Sequence, residues 1–163
     1  MNIVYLSLGS NIENRIEHCI KALDELSTYV EIEEVSSFYE TEAIGVSTPS
    51  DFINCAAKIL TPLKPVDLLD SLTQTEKKLG RESKGDYSPR TIDIDIIFYN
   101  DLILQSDNLT IPHKQAHLRR FVIEPLSEIC PDLIHPLLNK TLLEIIQSMK
   151  NKQYVKKIGS FYQ

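Results

Sequence analysis

The sequence predicts an α+β sandwich in which an antiparallel sheet carries two helices on one face. Three observations predict it. Strand-like and helix-like apolar patterns alternate in the order β, α, β, β, α, β; turn-forming residues separate them; and 163 residues, 42% of them apolar, suffice for one core but not for two ordinary domains. The chain is read as a single domain, 1–163.

Residues 3–8 are β-prone and run into Gly9-Ser10-Asn11, where Gly is expected to turn the chain and Ser or Asn to cap a helix. In that helix Ile12, Ile16, Cys19, Ile20, Leu23 and Leu26 recur at three- and four-residue intervals, which predicts one buried stripe ending near Ser27. Strands over 29–39 and 52–60 flank the turn-forming stretch 45–50, expected as an exposed loop. Pro65 suits the first turn of a second helix, whose apolar face is Val66, Leu68, Leu69, Leu72 and Leu79 and whose end is Gly80. Glu76 falls inside that stripe. Residues 81–90 are polar, with Gly85 and Pro89, and predict a loop into a strand over 91–99. This βαββαβ order is that of a ferredoxin-like sandwich. After Asn100 the sequence predicts a C-terminal extension with a short hairpin and one or two helices, one of them over 142–149.

Against 23 acidic side chains stand 17 basic ones, a net charge of -6, which argues against a general binder of nucleic acid or of membrane surfaces. Cys19, Cys55 and Cys130 are odd in number and widely spaced, so they read as free thiols in a reducing compartment. No basic segment precedes the first strand, and no apolar stretch nears the roughly 20 residues of a membrane span. A cytoplasmic location is expected.

The richest segment is Thr91-Ile92-Asp93-Ile94-Asp95-Ile96. Strand period two puts the isoleucines on one face and both aspartates on the other. Neighbouring like charges repel, and a divalent cation compensates them. Hard oxygen ligands at this spacing suit Mg²⁺, which takes one or two protein carboxylates plus substrate phosphates. Two such ions ~4 Å apart suit phosphoryl or nucleotidyl transfer. A solvated outer face is the competing reading of a bare D-x-D. Lys77, Lys78, Arg81, Lys84 and Arg90 just upstream supply the cations that a polyphosphate needs beside its metal, unless they pair with Glu82 and Asp86. A second basic cluster, Pro112 to Phe121, holds His113, His117, Arg119 and Arg120, any of which could meet a phosphate or simply face water. Glu76 either binds a ligand, pairs with an arginine or snorkels to water. Asn54 shares a strand face with Phe52, and an amide beside an aromatic ring suits either a flat heterocycle or ordinary packing.

The runs Leu6-Ser7-Leu8-Gly9-Ser10-Asn11, Ser36-Ser37-Phe38-Tyr39-Glu40-Thr41, Phe52-Ile53-Asn54-Cys55-Ala56-Ala57, Leu79-Gly80-Arg81, Pro89-Arg90-Thr91-Ile92-Asp93-Ile94-Asp95, Ile111-Pro112-His113 and Arg119-Arg120-Phe121-Val122 together resemble the 6-hydroxymethyl-7,8-dihydropterin pyrophosphokinase family of folate biosynthesis. The resemblance covers nearly the whole chain. It implies transfer of diphosphate from ATP to the pterin's hydroxymethyl oxygen, with attack at the β-phosphorus and release of AMP. Carried over by position, Asp93 and Asp95 would hold two Mg²⁺ ions while Arg81 and Arg90 stabilise phosphate charge. Thr41, Ile44, Phe52, Asn54 and Phe121 would form the pterin pocket. Glu76, Arg81, Lys84, Arg90, Ile96, Thr110, His113 and Arg119 would surround ATP, and the loops 45–51 and 82–88 would close over it. Tyr87, Lys114, Ser83 and Asn108 depart from the family pattern. The implied protein partner is dihydropteroate synthase, the pathway neighbour.

Two other classes share the βαββαβ order. Nucleotidyl-transferring palms also place acidic residues on a central strand, and RNA-binding modules need an aromatic sheet face on a broadly basic surface. Fold alone does not choose among them.

Overall fold

The computed structural model describes residues 1–41, 51–80, 91–151 and 153–160. The expected loops at 45–50 and 81–90, with Ile44, Arg81, Lys84 and Arg90, lie outside the described residues.

Among the described residues eight strands and four helices follow in the order β1 (Asn2–Ser10), α1 (Arg15–Leu26), β2 (Glu31–Val35), β3 (Phe38–Thr41), β4 (Phe52–Thr61), α2 (Pro65–Lys78), β5 (Asp93–Tyr99), β6 (Leu104–Gln105), β7 (Thr110–Ile111), α3 (Arg120–Ile129), α4 (Leu142–Ser148) and β8 (Val155–Gly159), with a 3-10 turn at Ala116–Leu118. The main sheet runs β5-β1-β4-β3-β8, and β2 pairs with β4 on the same edge as β3. Every pairing in it is antiparallel. The ferredoxin-like core is therefore β1, β4, β5 and the β2–β3 edge, with α1 and α2 on one face.

Residues 29–39, expected as one strand, are two. Ser36 breaks the ladder because its hydroxyl accepts the Ala56 N–H (2.8 Å) in place of a backbone carbonyl. The Ser37 N–H and hydroxyl turn away to Glu128 Oε1 on α3, at 3.0 and 2.8 Å. The strand β8, which no sequence signal predicted, then extends the sheet beyond β3.

Strand β1 is buried along most of its length, because both faces of the sheet are covered there. On the α1/α2 face Val4, Leu6, Leu8, Ile53, Cys55, Ile59, Ile94 and Ile96 meet Cys19, Leu23, Leu26, Leu68 and Leu72. The helices seat differently from expectation. Helix α1 turns Cys19, Ala22, Leu23 and Leu26 inward and leaves Ile16 and Ile20 exposed on its flank, while Ile12, expected in the helix, precedes it and is exposed. In α2, Val66 is likewise exposed, while Thr75 and Glu76 complete the buried row. Pro65 opens α2 as predicted, and Gly80 leaves it with φ +100, a conformation that favours glycine. Neither Ser10 nor Asn11 caps α1. The strand runs through Gly9 to Ser10, and Asn14, at φ 65, precedes the helix without a side-chain cap.

On the opposite face α3 and α4 cover half the sheet, with Tyr5, Ala56, Ile97 and Phe98 packed against Val122, Ile123, Leu126, Leu142 and Ile145. Among the described residues no helix is long and apolar enough to cross a membrane.

Candidate active site

Directly opposed residues of an antiparallel pair share a face, so the register places the candidate residues. Asp93 lies opposite Gly9, Gly9 opposite Asn54, and Asn54 opposite Tyr39, which makes one row across β5, β1, β4 and β3. The next row is Asp95, Ser7 and Ala56. Strands are spaced ~4.8 Å apart, so Asp93 and Asn54, two strands apart, are separated by ~10 Å across the sheet. Both aspartates are half-buried. Ala56 belongs to the core under α3, while Ser7 and Asn54 lie buried outside that cluster, so the second row marks where the apolar half of this face gives way to a polar half.

Gly9 has a steric role inside the strand. A Cβ there would stand 2.6 Å from Asn54 Oδ1 and 3.6 Å from the Phe52 ring. The missing side chain is the space into which the Asn54 amide leans. From the other side Asn54 Nδ2 donates to Thr41 Oγ1 at 2.6 Å, and both residues are buried. In this arrangement the amide carbonyl faces Gly9. Phe52, half-buried, shares the face, as does Thr41 opposite it. Arg15 at the start of α1 ties together the ends of β3 and β4, with Nη2 3.1 Å from Glu40 Oε2 and Nη1 donating to the Asp51 carbonyl at 2.5 Å.

Helix α3 is pinned at its far end. Glu128 accepts the Tyr39 hydroxyl as well as both Ser37 donors and lies 3.7 Å from Lys157 Nζ. Burial alone would raise its carboxyl, but these hydrogen bonds and Lys157 outweigh it and hold Glu128 below its ordinary value. Burial, then the bond to Glu128, pushes the Tyr39 phenol up. At the helix start the Phe121 ring packs on the edge of the second core. The Arg119 guanidinium lies 5.6 Å from that ring and donates to Gln115. Along β5, the His113 N–H donates to the Ile97 carbonyl at 3.0 Å, and His113 Nδ1 accepts the Gln115 N–H. Thr110 is half-buried in the β6–β7 hairpin.

Two expected nucleotide residues are deeper than their sequence suggested. The Ile96 side chain is in the core beneath the helices. Glu76 does not snorkel: it is 1% exposed, and its Oε1 accepts the Ile94 N–H at 2.7 Å. Sequence reading passed over Ser7, Gly9 and Arg15. Ser7 was findable as the polar residue of an apolar strand with the parity of Gly9.

The donor set suits Mg²⁺. Asp93 and Asp95 offer hard oxygens from one strand, with small Gly9 and Ser7 beside them leaving room for substrate oxygens. Among the described residues no group of three or more His, Cys, Asp or Glu gathers to hold an ion, so any metal here takes its remaining ligands elsewhere.

Comparison with known proteins agrees with this geometry. Residues 5–131 match the family model described as 7,8-dihydro-6-hydroxymethylpterin-pyrophosphokinase (HPPK). A 2-amino-4-hydroxy-6-hydroxymethyldihydropteridine pyrophosphokinase of Aquifex aeolicus is 40% identical, the match covering 88% of this chain and 90% of the relative. One of Haemophilus influenzae is 36% identical over 96% of this chain and 98% of its own. Among solved structures, a Plasmodium falciparum HPPK-DHPS superposes with a TM-score of 0.73 at 16% identity, over 90% of this chain and 45% of that one, which bears on the fold alone. By the family match and the two near-full-length relatives, the chain belongs to the 7,8-dihydro-6-hydroxymethylpterin-pyrophosphokinase family.

Proposed function

We propose that this chain transfers diphosphate from ATP to the hydroxymethyl group of 6-hydroxymethyl-7,8-dihydropterin, releasing AMP, at the polar half of the sheet. Its family makes it an ATP-dependent pyrophosphokinase, a transferase of folate biosynthesis. The observation that carries the site assignment is the row Asp93, Gly9, Asn54, which sets a carboxylate and a buried amide ~10 Å apart on the sheet face away from α1 and α2.

Asn54, its amide oriented by Thr41, reads the hydrogen-bonding edge of the pterin, and Phe52 and Phe121 stack on its two sides. Ile44 completes that pocket. Asp93 and Asp95 hold the magnesium ions, two in this reading. Mg²⁺ bound there supplies charge neutralisation of the triphosphate and polarisation of its phosphorus. Arg81, Lys84, Arg90, His113 and Arg119 surround the phosphates and take up charge as the hydroxymethyl oxygen bonds to the β-phosphorus and the bond to the AMP oxygen breaks. Glu76, Ile96 and Thr110 stand by the nucleotide, and the loops 45–51 and 82–88 exclude water. Positioning and electrostatics supply the rate, with no covalent enzyme intermediate.

The chain works as one domain, 1–163, in the cytoplasm. The two cores on one sheet support the first statement, and the free cysteines Cys19, Cys55 and Cys130 the second. Joined HPPK-DHPS chains such as that of P. falciparum support dihydropteroate synthase as a partner. The test is to incubate the protein with Mg²⁺, ATP and the pterin and to identify the nucleotide formed. AMP that appears only with the pterin is expected. ADP would replace diphosphate transfer by ordinary phosphoryl transfer.

A further inference from the structure

Helix α2 presents Leu68, Leu72 and Glu76, spaced four apart, as one buried row. The first two are apolar, as packing favours. The third is a carboxylate that is costly to bury and breaks the pattern, a violation that proteins retain where it serves a site. Its Oε1 lies 2.7 Å from the backbone nitrogen of Ile94. Strand β5 is the end strand of the sheet, and no further strand extends beyond it among the described residues to accept that N–H. Ile94 is the residue between Asp93 and Asp95, with its side chain fully buried on the helix face while theirs point to the other.

We propose that Glu76 is a positioning residue for the metal pair: its carboxylate accepts the one amide between the two aspartates, on the edge of β5 where no strand pairs among the described residues, and so fixes their spacing and aim. The inference rests on the reading of Asp93 and Asp95 as metal ligands. An amide left to water at this point would let the end strand twist and fray, and each degree of twist at Ile94 carries Asp93 and Asp95 in opposite senses. A charged acceptor makes a stronger bond than a neutral one and holds the strand down against α2.

Three variants test it, with two readouts besides turnover: the affinity for Mn²⁺, followed by electron paramagnetic resonance with a non-hydrolysable ATP analogue present, and the exchange rate of the Ile94 amide. Glu76→Leu restores an apolar row and removes the acceptor. It is expected to shift the melting temperature little, the gain in apolar packing offsetting the buried N–H left without its acceptor, to speed Ile94 exchange and to weaken Mn²⁺ binding by roughly tenfold to a hundredfold, the cost usual for losing an outer partner of a metal ligand. Glu76→Gln keeps a carbonyl acceptor without the charge and restores both readouts most of the way. Asp95→Ala is the control for the underlying reading, and unchanged Mn²⁺ affinity in it would remove the metal assignment itself. With that control behaving as expected, Glu76→Leu with fast Ile94 exchange but unaltered Mn²⁺ affinity overturns the positioning role. So does Glu76→Gln with a protected Ile94 amide and Mn²⁺ binding as weak as in the leucine variant, since charge would then be the cause. Failure of both variants to fold would make Glu76 a residue of stability alone and overturn it equally.

Discussion

Strands β1, β4 and β5 build both halves of the sheet face that lies away from α1 and α2, yet the halves have opposite chemistry. Under α3 and α4 these strands present Tyr5, Ala56, Ile97 and Phe98 to a dry core. Two to four residues further along, the same strands place Gly9, Ser7, Asn54, Asp93 and Asp95 outside that core, with Ser7 and Asn54 buried and the two aspartates half-buried. The apolar half anchors the strands, so the polar half can hold groups that would repel or remain unsatisfied elsewhere. Stability and chemistry are thus divided along each strand, and substitutions should separate them.

The largest separation is expected from Asp95→Ala. Loss of a metal-binding carboxylate should lower turnover by about a thousandfold or more, with the melting temperature nearly unchanged. Near-normal turnover would dissolve the distinction between the halves. The converse variant is Ile123→Ala, fully buried in the covered half. It should cost about 2–5 kcal/mol in denaturant unfolding while the folded fraction keeps its turnover. Gly9→Ala tests the boundary of the pocket, because the added methyl would meet Asn54 Oδ1. Titration should show pterin binding weakened about tenfold, with ATP binding unaffected, if displacing Asn54 costs the 1–3 kcal/mol typical of overpacking. The smallest effect concerns His135, buried beneath the covered half at 5.5 Å from the Phe98 ring. Burial, then the neighbouring His117, lowers its pKa below 6.5, so the unfolded chain binds the proton more readily than the folded one. Stability should therefore fall as pH drops from 6.5 towards the folded value. Melting curves across that interval should show the slope, and His135→Gln should flatten it.

Much of this division is legible in the sequence. Period two in 91–96 places the aspartates together, and the same parity joins Phe52 to Asn54. Both follow from backbone geometry alone and hold in the structure. What escapes notice depends on partners distant in sequence. Ser36 and Ser37 interrupt a strand because Ala56 and Glu128 meet them, and no local propensity carries that information. Ile12, Ile16 and Ile20 are apolar at helical spacing, but Ile12 precedes α1 and the sheet takes the flank of Cys19, Ala22, Leu23 and Leu26. Gly9 reads as a turn until Asn54 is placed opposite it. The short β8 is mostly polar on its exposed positions and has only β3 to define it.

The sheet order has a kinetic consequence. Since β1 pairs with both β4 and β5, the site's first row joins residues 9, 54 and 93 and forms only when pairings distant in the chain close. Such non-local pairings slow folding. During refolding, ligand-binding competence should therefore return with the last structural phase, and a chain interrupted before β5 should hold neither metal nor pterin at this face.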